Sequence, residues 1–123
     1  FEVVSIPGPC AAISALASSG FPTDKFSFLG FLPKASGDRS RIIKKYGDLD
    51  STLIFYESPF RIEKLLKEIQ ENLGERYVCI ANEITKVHEK ILRGNVSLLL
   101  EVVKGKRLKG EFVVLVGKEG FSI

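Results

Sequence analysis

Residues 52–74 read TLIFYESPFRIEKLLKEIQENLG, and the change of period inside this stretch decides the fold class. Thr52–Tyr56 is an unbroken β-prone run with no polar alternation, the pattern of a strand covered on both faces. Ser58-Pro59 reads as an N-cap followed by a residue suited to the first helical position. Ile62, Leu65, Leu66, Ile69 and Leu73 then recur at offsets of 3, 4, 7 and 11, which places one apolar stripe along a helix. Gly74 supplies the stop. A buried strand, a tight turn and an amphipathic helix make the repeating unit of α/β layering, so Thr52–Tyr56 is expected to be a central strand.

The same alternation continues outward in both directions. Toward the carboxyl end, Tyr77–Ala81 reads as a strand, and Glu89–Leu92 as a short extended piece. Asn95 caps a helix running to about Val103, and Phe112–Val116 is a last strand. Toward the amino end, Glu2–Ile6 is an apolar strand and Pro7-Gly8-Pro9 turns the chain into a helix that ends at Gly20. Ala12, Ile13, Leu16 and Ala17 lie on one face of that helix. Phe26–Leu32 is a strand stopped by Pro33, and a helix follows from about Gly37 to Tyr46, with Ile42 and Ile43 inward. The expectation is one α/β domain spanning residues 1–123, with a mostly five-stranded mixed sheet flanked by about four helices.

Composition agrees with one globular core: 123 residues, 45% hydrophobic, nine Phe and 27% charged. No apolar run approaches the length needed to span a bilayer, and no charged-then-apolar leader opens the chain. A soluble, cytoplasmic domain with no membrane partner is expected. The two cysteines, Cys10 and Cys79, lie far apart, and His88 is the only histidine. No zinc-ligand spacing or disulfide framework is present, so no metal is expected. The chain contains no Met and opens directly on the apolar run Phe1–Ile6, from which a piece of a longer protein is expected.

Chemistry-bearing residues gather just past the strands. Pro7–Ala11 is a strand-to-helix turn whose backbone N–H groups suit an anion, although its spacing matches neither a P-loop nor a dinucleotide fingerprint. Tyr56–Arg61 lies at the carboxyl end of a strand, where open α/β sheets bind ligands. Asn82–Glu89 brings together Glu83, Lys86, His88 and Glu89. A lone His beside Glu is more often a solvated pair than a catalyst, and neither cysteine has a base nearby in sequence. Two cationic segments stand out: Lys34, Arg39, Arg41, Lys44 and Lys45 against Asp38, and Lys104, Lys106, Arg107 and Lys109 within six residues. Each exceeds the net charge of the whole chain, +3, and suits a polyanion such as RNA.

Six segments in register carry a family resemblance: Ile6–Ala11 (IPGPCA), Ser19–Asp24 (SGFPTD), Gly30–Lys34 (GFLPK), Phe55–Pro59 (FYESP), Glu83–Lys86 with His88-Glu89 (EITK, HE), and Lys109–Val113 (KGEFV). The chain resembles the tetrapyrrole methylase-like (class III) S-adenosylmethionine-dependent methyltransferases. Within them it is similar to the carboxy-terminal domain of the small-subunit ribosomal RNA ribose methyltransferases. The resemblance implies the second half of a two-domain enzyme whose amino-terminal domain carries the glycine-rich cofactor motifs. It implies a homodimer with S-adenosylmethionine bound between the domains, and methylation of a cytidine ribose 2′-hydroxyl in 16S rRNA of the small ribosomal subunit. The isolated chain is then expected to be inactive.

By the same resemblance, Glu57, Glu83 and Glu89 are candidate bases. Pro22, Thr23, Glu57, Ser58, Gly110 and Glu111 are cofactor-contacting positions, and Lys34, Arg39, Arg41, Arg61 and Lys86 face RNA. Three positions depart from the pattern: Cys10 stands for the usual Ser, Phe60 for His and Asn82 for Arg. The competing readings are a class III methylase of a small molecule such as a tetrapyrrole, and a non-catalytic RNA-binding or dimerisation module.

Overall fold

The computed structural model describes residues 11–82, 90–106 and 108–123. The expected strand Glu2–Ile6 and the Glu83–Glu89 segment lie outside these residues. In chain order the elements are α1 (Ala11–Ser19), β1 (Phe26–Phe31), α2 (Ser36–Gly47), β2 (Thr52–Glu57), α3 (Ile62–Leu73), β3 (Tyr77–Asn82), β4 (Lys90–Asn95), α4 (Val96–Val103) and β5 (Phe112–Val116). The strands form one mixed sheet in the order β1-β2-β5-β3-β4. β1 and β2 run parallel, while β5 lies antiparallel to both β2 and β3, and β4 antiparallel to β3. Strands β1, β2 and β3 therefore all point one way, and their carboxyl ends share one end of the sheet.

Period-two alternation divides the sheet between two cores. Leu53, Phe55, Val78, Ile80, Phe112, Val114 and Val116 face the layer of α2, α3 and α4. Ile54, Cys79, Ala81, Val113 and Leu115 face α1. All five residues of β5 are buried, because this strand has neighbours on both edges and helices on both faces. The helix α3 follows its apolar stripe: Ile62, Leu65, Leu66 and Ile69 are each fully buried, and Gly74 closes it at φ +78.

Thr52–Glu57 is a central strand, as expected, paired on both edges, and the middle place belongs to β5, the last in sequence. Three expectations change. Ser58-Pro59 does not open α3. These residues begin a turn in which the Arg61 N–H donates to the Ser58 carbonyl (3.0 Å), and the helix starts one turn later at Ile62. The extended piece near Glu89–Leu92 is a full strand pairing with β3 from Tyr77↔Asn95 to Asn82↔Lys90. Five strands are present among the described residues, with β4 standing where the amino-terminal strand was counted. Asn95 does precede α4, yet its side chain makes no capping bond; the Glu75 carboxylate accepts from the Ser97 N–H at 3.0 Å instead.

A bulge shapes the β1 edge. Phe28 pairs with Ile54 and Gly30 with Phe55, so Leu29 is an extra residue in the ladder. Gly30 sits at φ +60, a conformation open to glycine. The insertion returns Phe31 to the same face as Phe28, and both rings pack on Tyr56, with centroids at 5.5 and 5.1 Å. No helix among the described residues is long and apolar enough to cross a membrane.

Candidate functional site

The carboxyl end of the sheet is where the sequence motifs converge. Glu57, Phe112 and Asn82 are paired in one row across β2, β5 and β3, and Lys90 extends the row on β4. Past this row lie Pro33-Lys34 after β1, Ser58–Arg61 after β2, and Lys109–Glu111 leading into β5. Gly110 has φ +90, a left-handed conformation open to glycine. β3 ends and β4 begins at this end of the sheet; Glu83, Lys86 and Glu89, the expected base and phosphate-binding residues between them in sequence, lie outside the described residues.

A buried ion triad fixes these loops. Arg39, on α2, is 1% exposed. Its Nε donates to both Glu68 carboxylate oxygens at 3.0 Å, and its Nη2 donates to Glu68 Oε1 at 2.7 Å and Glu57 Oε2 at 3.3 Å. Its Nη1 donates to the Pro33 carbonyl at 3.3 Å. One guanidinium therefore ties α2 to α3, to the end of β2 and to the turn after β1. The hydrogen bond to Glu68 is the main influence raising the Arg39 pKa above its ordinary value, against the opposing effect of burial.

Two expected roles change with this geometry. Arg39, expected to face RNA, points its guanidinium into the protein. Glu57, expected as a base, is 4% exposed, and its other oxygen accepts from the Ser58 N–H at 2.9 Å. A carboxylate with both oxygens engaged in structural contacts is poorly placed to receive a substrate proton. Sequence reading missed Glu68, although the signal is present: it is a charge flanked by Leu65, Leu66 and Ile69 on the buried stripe.

The remaining candidates divide by position. Lys34 and Arg41 are exposed and Arg61 half-buried, with Arg41 paired to Asp38 on the surface. Phe60, which replaces a usual His, is 93% exposed beside Arg61. Of the expected cofactor positions, Glu57-Ser58 and Gly110-Glu111 are neighbours, since Glu57 pairs with the residue after Glu111. Pro22-Thr23 lie at the opposite end of the sheet, where the Pro22 carbonyl accepts from Thr52 Oγ1 at 2.9 Å. Ser58, Gly110 and Glu111 thus share one end of the sheet, and Pro22 and Thr23 lie at the other.

Beside that surface, on the α4 side, is an open groove of about 630 Å³. Lys90, Lys106 and Lys109 rim it, and Leu92 and Leu108 form its apolar floor above Phe112. Asn82 lines it too, donating through Nδ2 to the Lys109 carbonyl at 3.2 Å. The Lys104–Lys109 run announces part of this groove in sequence; its convergence with Lys90 depends on strand pairing.

No group of three or more His, Cys, Asp or Glu residues among the described residues could hold a metal ion. Cys79 is buried in β3, and burial pushes its thiol up to about 11, only partly offset by the Arg93 charge. Its thiolate is the reactive form, so peptide mapping after alkylation at about pH 8 is expected to find Cys79 unmodified in the native protein and modified in denaturant. Rapid native modification would show that this strand opens locally.

Comparison with known proteins bears on this geometry. The family model described as Tetrapyrrole (Corrin/Porphyrin) Methylases matches residues 1–99. The Ribosomal RNA small subunit methyltransferase I of Escherichia coli O157:H7 is 47% identical over 118 residues, 94% of this chain and 41% of that protein. The protein of the same name from Thermotoga maritima is 44% identical over 119 residues, covering 96% and 53%. That from Halalkalibacterium halodurans is 40% identical over 121 residues, covering 98% and 42%. The chain thus spans about two-fifths to one-half of these curated relatives.

Among solved structures, the methyltransferase CobJ superposes with a TM-score of 0.67 at 19% identity, covering 90% of this chain and 48% of that one. The cobalamin biosynthetic enzyme cobalt precorrin-4 methyltransferase, CbiF, gives 0.61 at 17%, covering 87% and 48%. At these identities the likeness is one of fold.

Proposed function

This chain belongs to the tetrapyrrole (corrin/porphyrin) methylase family, and from that premise we propose that it is the substrate-side part of an S-adenosylmethionine-dependent methyltransferase acting on a cytidine ribose 2′-hydroxyl of 16S rRNA. The observation that carries the reading is 40–47% identity, across nearly the whole chain, to proteins named for small-subunit ribosomal RNA methylation. The basic segments at the surface suit the same substrate. The fold likeness to CobJ and CbiF, at under one-fifth identity, does not favour a tetrapyrrole substrate over RNA.

S-adenosylmethionine supplies a methyl group already activated on a sulfonium. The chain's work is then alignment and proton removal. With the cofactor bound, a base of this chain would take the ribose hydroxyl proton as the oxygen is methylated. Glu83 and Glu89 are the bases we propose, since Glu57 is held by Arg39 and the Ser58 amide. Backbone at Ser58, Gly110 and Glu111 borders the cofactor, and Lys34, Arg41, Arg61 and Lys86 hold RNA phosphates. The complete protein carries a further domain, works as a homodimer in the cytoplasm, and needs both domains for turnover.

The test is methyl transfer by the complete protein to small ribosomal subunits, with the ribose position read by mass spectrometry. Turnover is expected, and Glu83→Ala or Lys86→Ala should slow it at least about tenfold, the lower reach of general acid–base and charge-assisted contacts. Unchanged turnover removes that residue from the mechanism. Folded complete protein that leaves the ribose unmethylated overturns the reading, and methylation of a tetrapyrrole instead selects its competitor.

A further inference from the structure

We infer that the groove beside β4 binds a single-stranded RNA segment, with an unstacked nucleotide on its apolar floor and the flanking phosphates on Lys90, Lys106 and Lys109. The inference rests on the RNA-directed function proposed above and assigns that substrate a surface made of residues not otherwise given a role.

Three features converge on this occupant. First, the charge is one-sided. Three exposed lysines from β4 and from the segment after α4 line the groove, and among the described residues no acidic side chain does. The nearby acids Glu101 and Glu111 lie outside the lining. A cluster of one sign around a concavity concentrates polyanions there. Second, the floor is apolar. Ile80↔Leu92 and Asn82↔Lys90 are cross-strand pairs on the face shared with Phe112, so the groove is the stretch of sheet face left beyond the end of α4. Leu92 is 41% exposed on it. Lysine ammoniums over an apolar floor match a nucleotide, whose base is flat and poorly hydrated on its faces while its backbone is anionic.

Third, Asn82 Oδ1 is buried, and it has no hydrogen-bond partner among the described residues. Such atoms are few in folded proteins. Asn82 lines the groove and its Nδ2 is committed to the Lys109 carbonyl, so its unused acceptor lies beneath the groove wall. The groove also joins the row Glu57–Phe112–Asn82–Lys90 at the sheet end, so RNA seated in it runs directly to the proposed reaction site.

The experiment measures binding of the complete protein to a single-stranded RNA oligonucleotide and to the same sequence as a duplex, across a salt series. The groove variant is Lys90→Gln, Lys106→Gln and Lys109→Gln together. The control is Lys25→Gln, Lys67→Gln and Lys118→Gln, three surface lysines elsewhere that lower the net charge equally. For single strands each phosphate contact adds about 0.7 to the slope of log K against log salt, so the groove variant should lose about 2 from that slope. That corresponds to roughly 100-fold weaker binding at about 0.1 M salt, relative to the wild type, with a much smaller change in the control. Equal losses in the two variants would mean diffuse attraction alone and overturn the groove. Wild-type affinity in the groove variant also overturns it, leaving the RNA function standing. Equal affinity for duplex and single strand overturns the unstacked nucleotide. If the wild-type protein binds neither RNA, the functional reading falls, and the groove assignment falls with it.

Discussion

Ending the chain after Gly110 is expected to abolish cooperative folding. β5 supplies the hydrogen-bonding partner for both β2 and β3, and no pairing joins those two strands directly. Without β5 the sheet separates into the pairs β1–β2 and β3–β4, and two-stranded units are marginal in water. The packing loss is as severe. Phe112, Val114 and Val116 leave the core under α2, α3 and α4, while Val113 and Leu115 leave the core under α1. At about 1.5–3 kcal/mol for each buried side chain, the five together contribute roughly 8–15 kcal/mol. Total domain stability is about 5–15 kcal/mol. Far-UV circular dichroism during a urea titration is the check: the shortened chain should show no sigmoidal transition. A cooperative transition would mean that β2 and β3 can close on one another. The family match ends at residue 99, before the strand on which the sheet depends.

Arg39→Ala is the second large effect. It removes the cation between Glu57 and Glu68 and leaves two carboxylates in a buried space with no charge to balance them. Breaking a buried ion network by deleting one partner costs about 3–5 kcal/mol, because the remaining charges stay desolvated. The urea midpoint should fall accordingly, by a large part of the total stability. Removing the stranded charges distinguishes this mechanism from simple loss of packing: Glu57→Gln and Glu68→Gln added to Arg39→Ala should recover part of the deficit. No recovery would falsify the charge argument. An unfolding free energy within about 1 kcal/mol of wild type would remove the triad as the clamp of the site loops. Arg39→Lys should fall between, since an ammonium keeps the charge but loses the fork that reaches Glu68, Glu57 and the Pro33 carbonyl together.

Local elements were legible wherever one physical signal dominated. The stripe from Ile62 to Leu73 declares α3 through periodicity alone, and Phe112–Val116 declares a strand buried on both faces. The start of α3 was less legible: Ser-Pro fits an N-cap and a first helical residue, yet it fits a turn equally well, and the backbone bond from Arg61 to Ser58 selects the turn. At the site, the motifs at Glu57, Ser58 and Gly110 were readable as strand-end segments, and strand pairing sets Glu57 opposite Phe112, close in sequence to Gly110. Pro22-Thr23 could not be excluded from that surface by sequence, because the direction of each strand places its two ends on opposite edges. Arg39 looked like one of a run of surface cations. Only the apolar environment around Glu68 marks its partner as an inward-facing charge.

The sequence by itself determined the alternation of strands and helices, the buried stripe of α3, and the family to which those segments belong. These depend on local period, turn chemistry and motif, each readable within about 10–15 residues. On α1, Ile13 and Ala17 were expected inward and are exposed, with Ala15 and Ser19 buried instead. The tertiary structure alone decided the strand order, with the last strand at the centre, and so which distant residues became neighbours. Pairing partners are chosen by burying both faces of the sheet at once, a condition on the whole chain rather than on any window of it. That condition made Arg39 a clamp and Glu57 its partner. It also brought Lys90 beside Lys106 and Lys109 to form the groove.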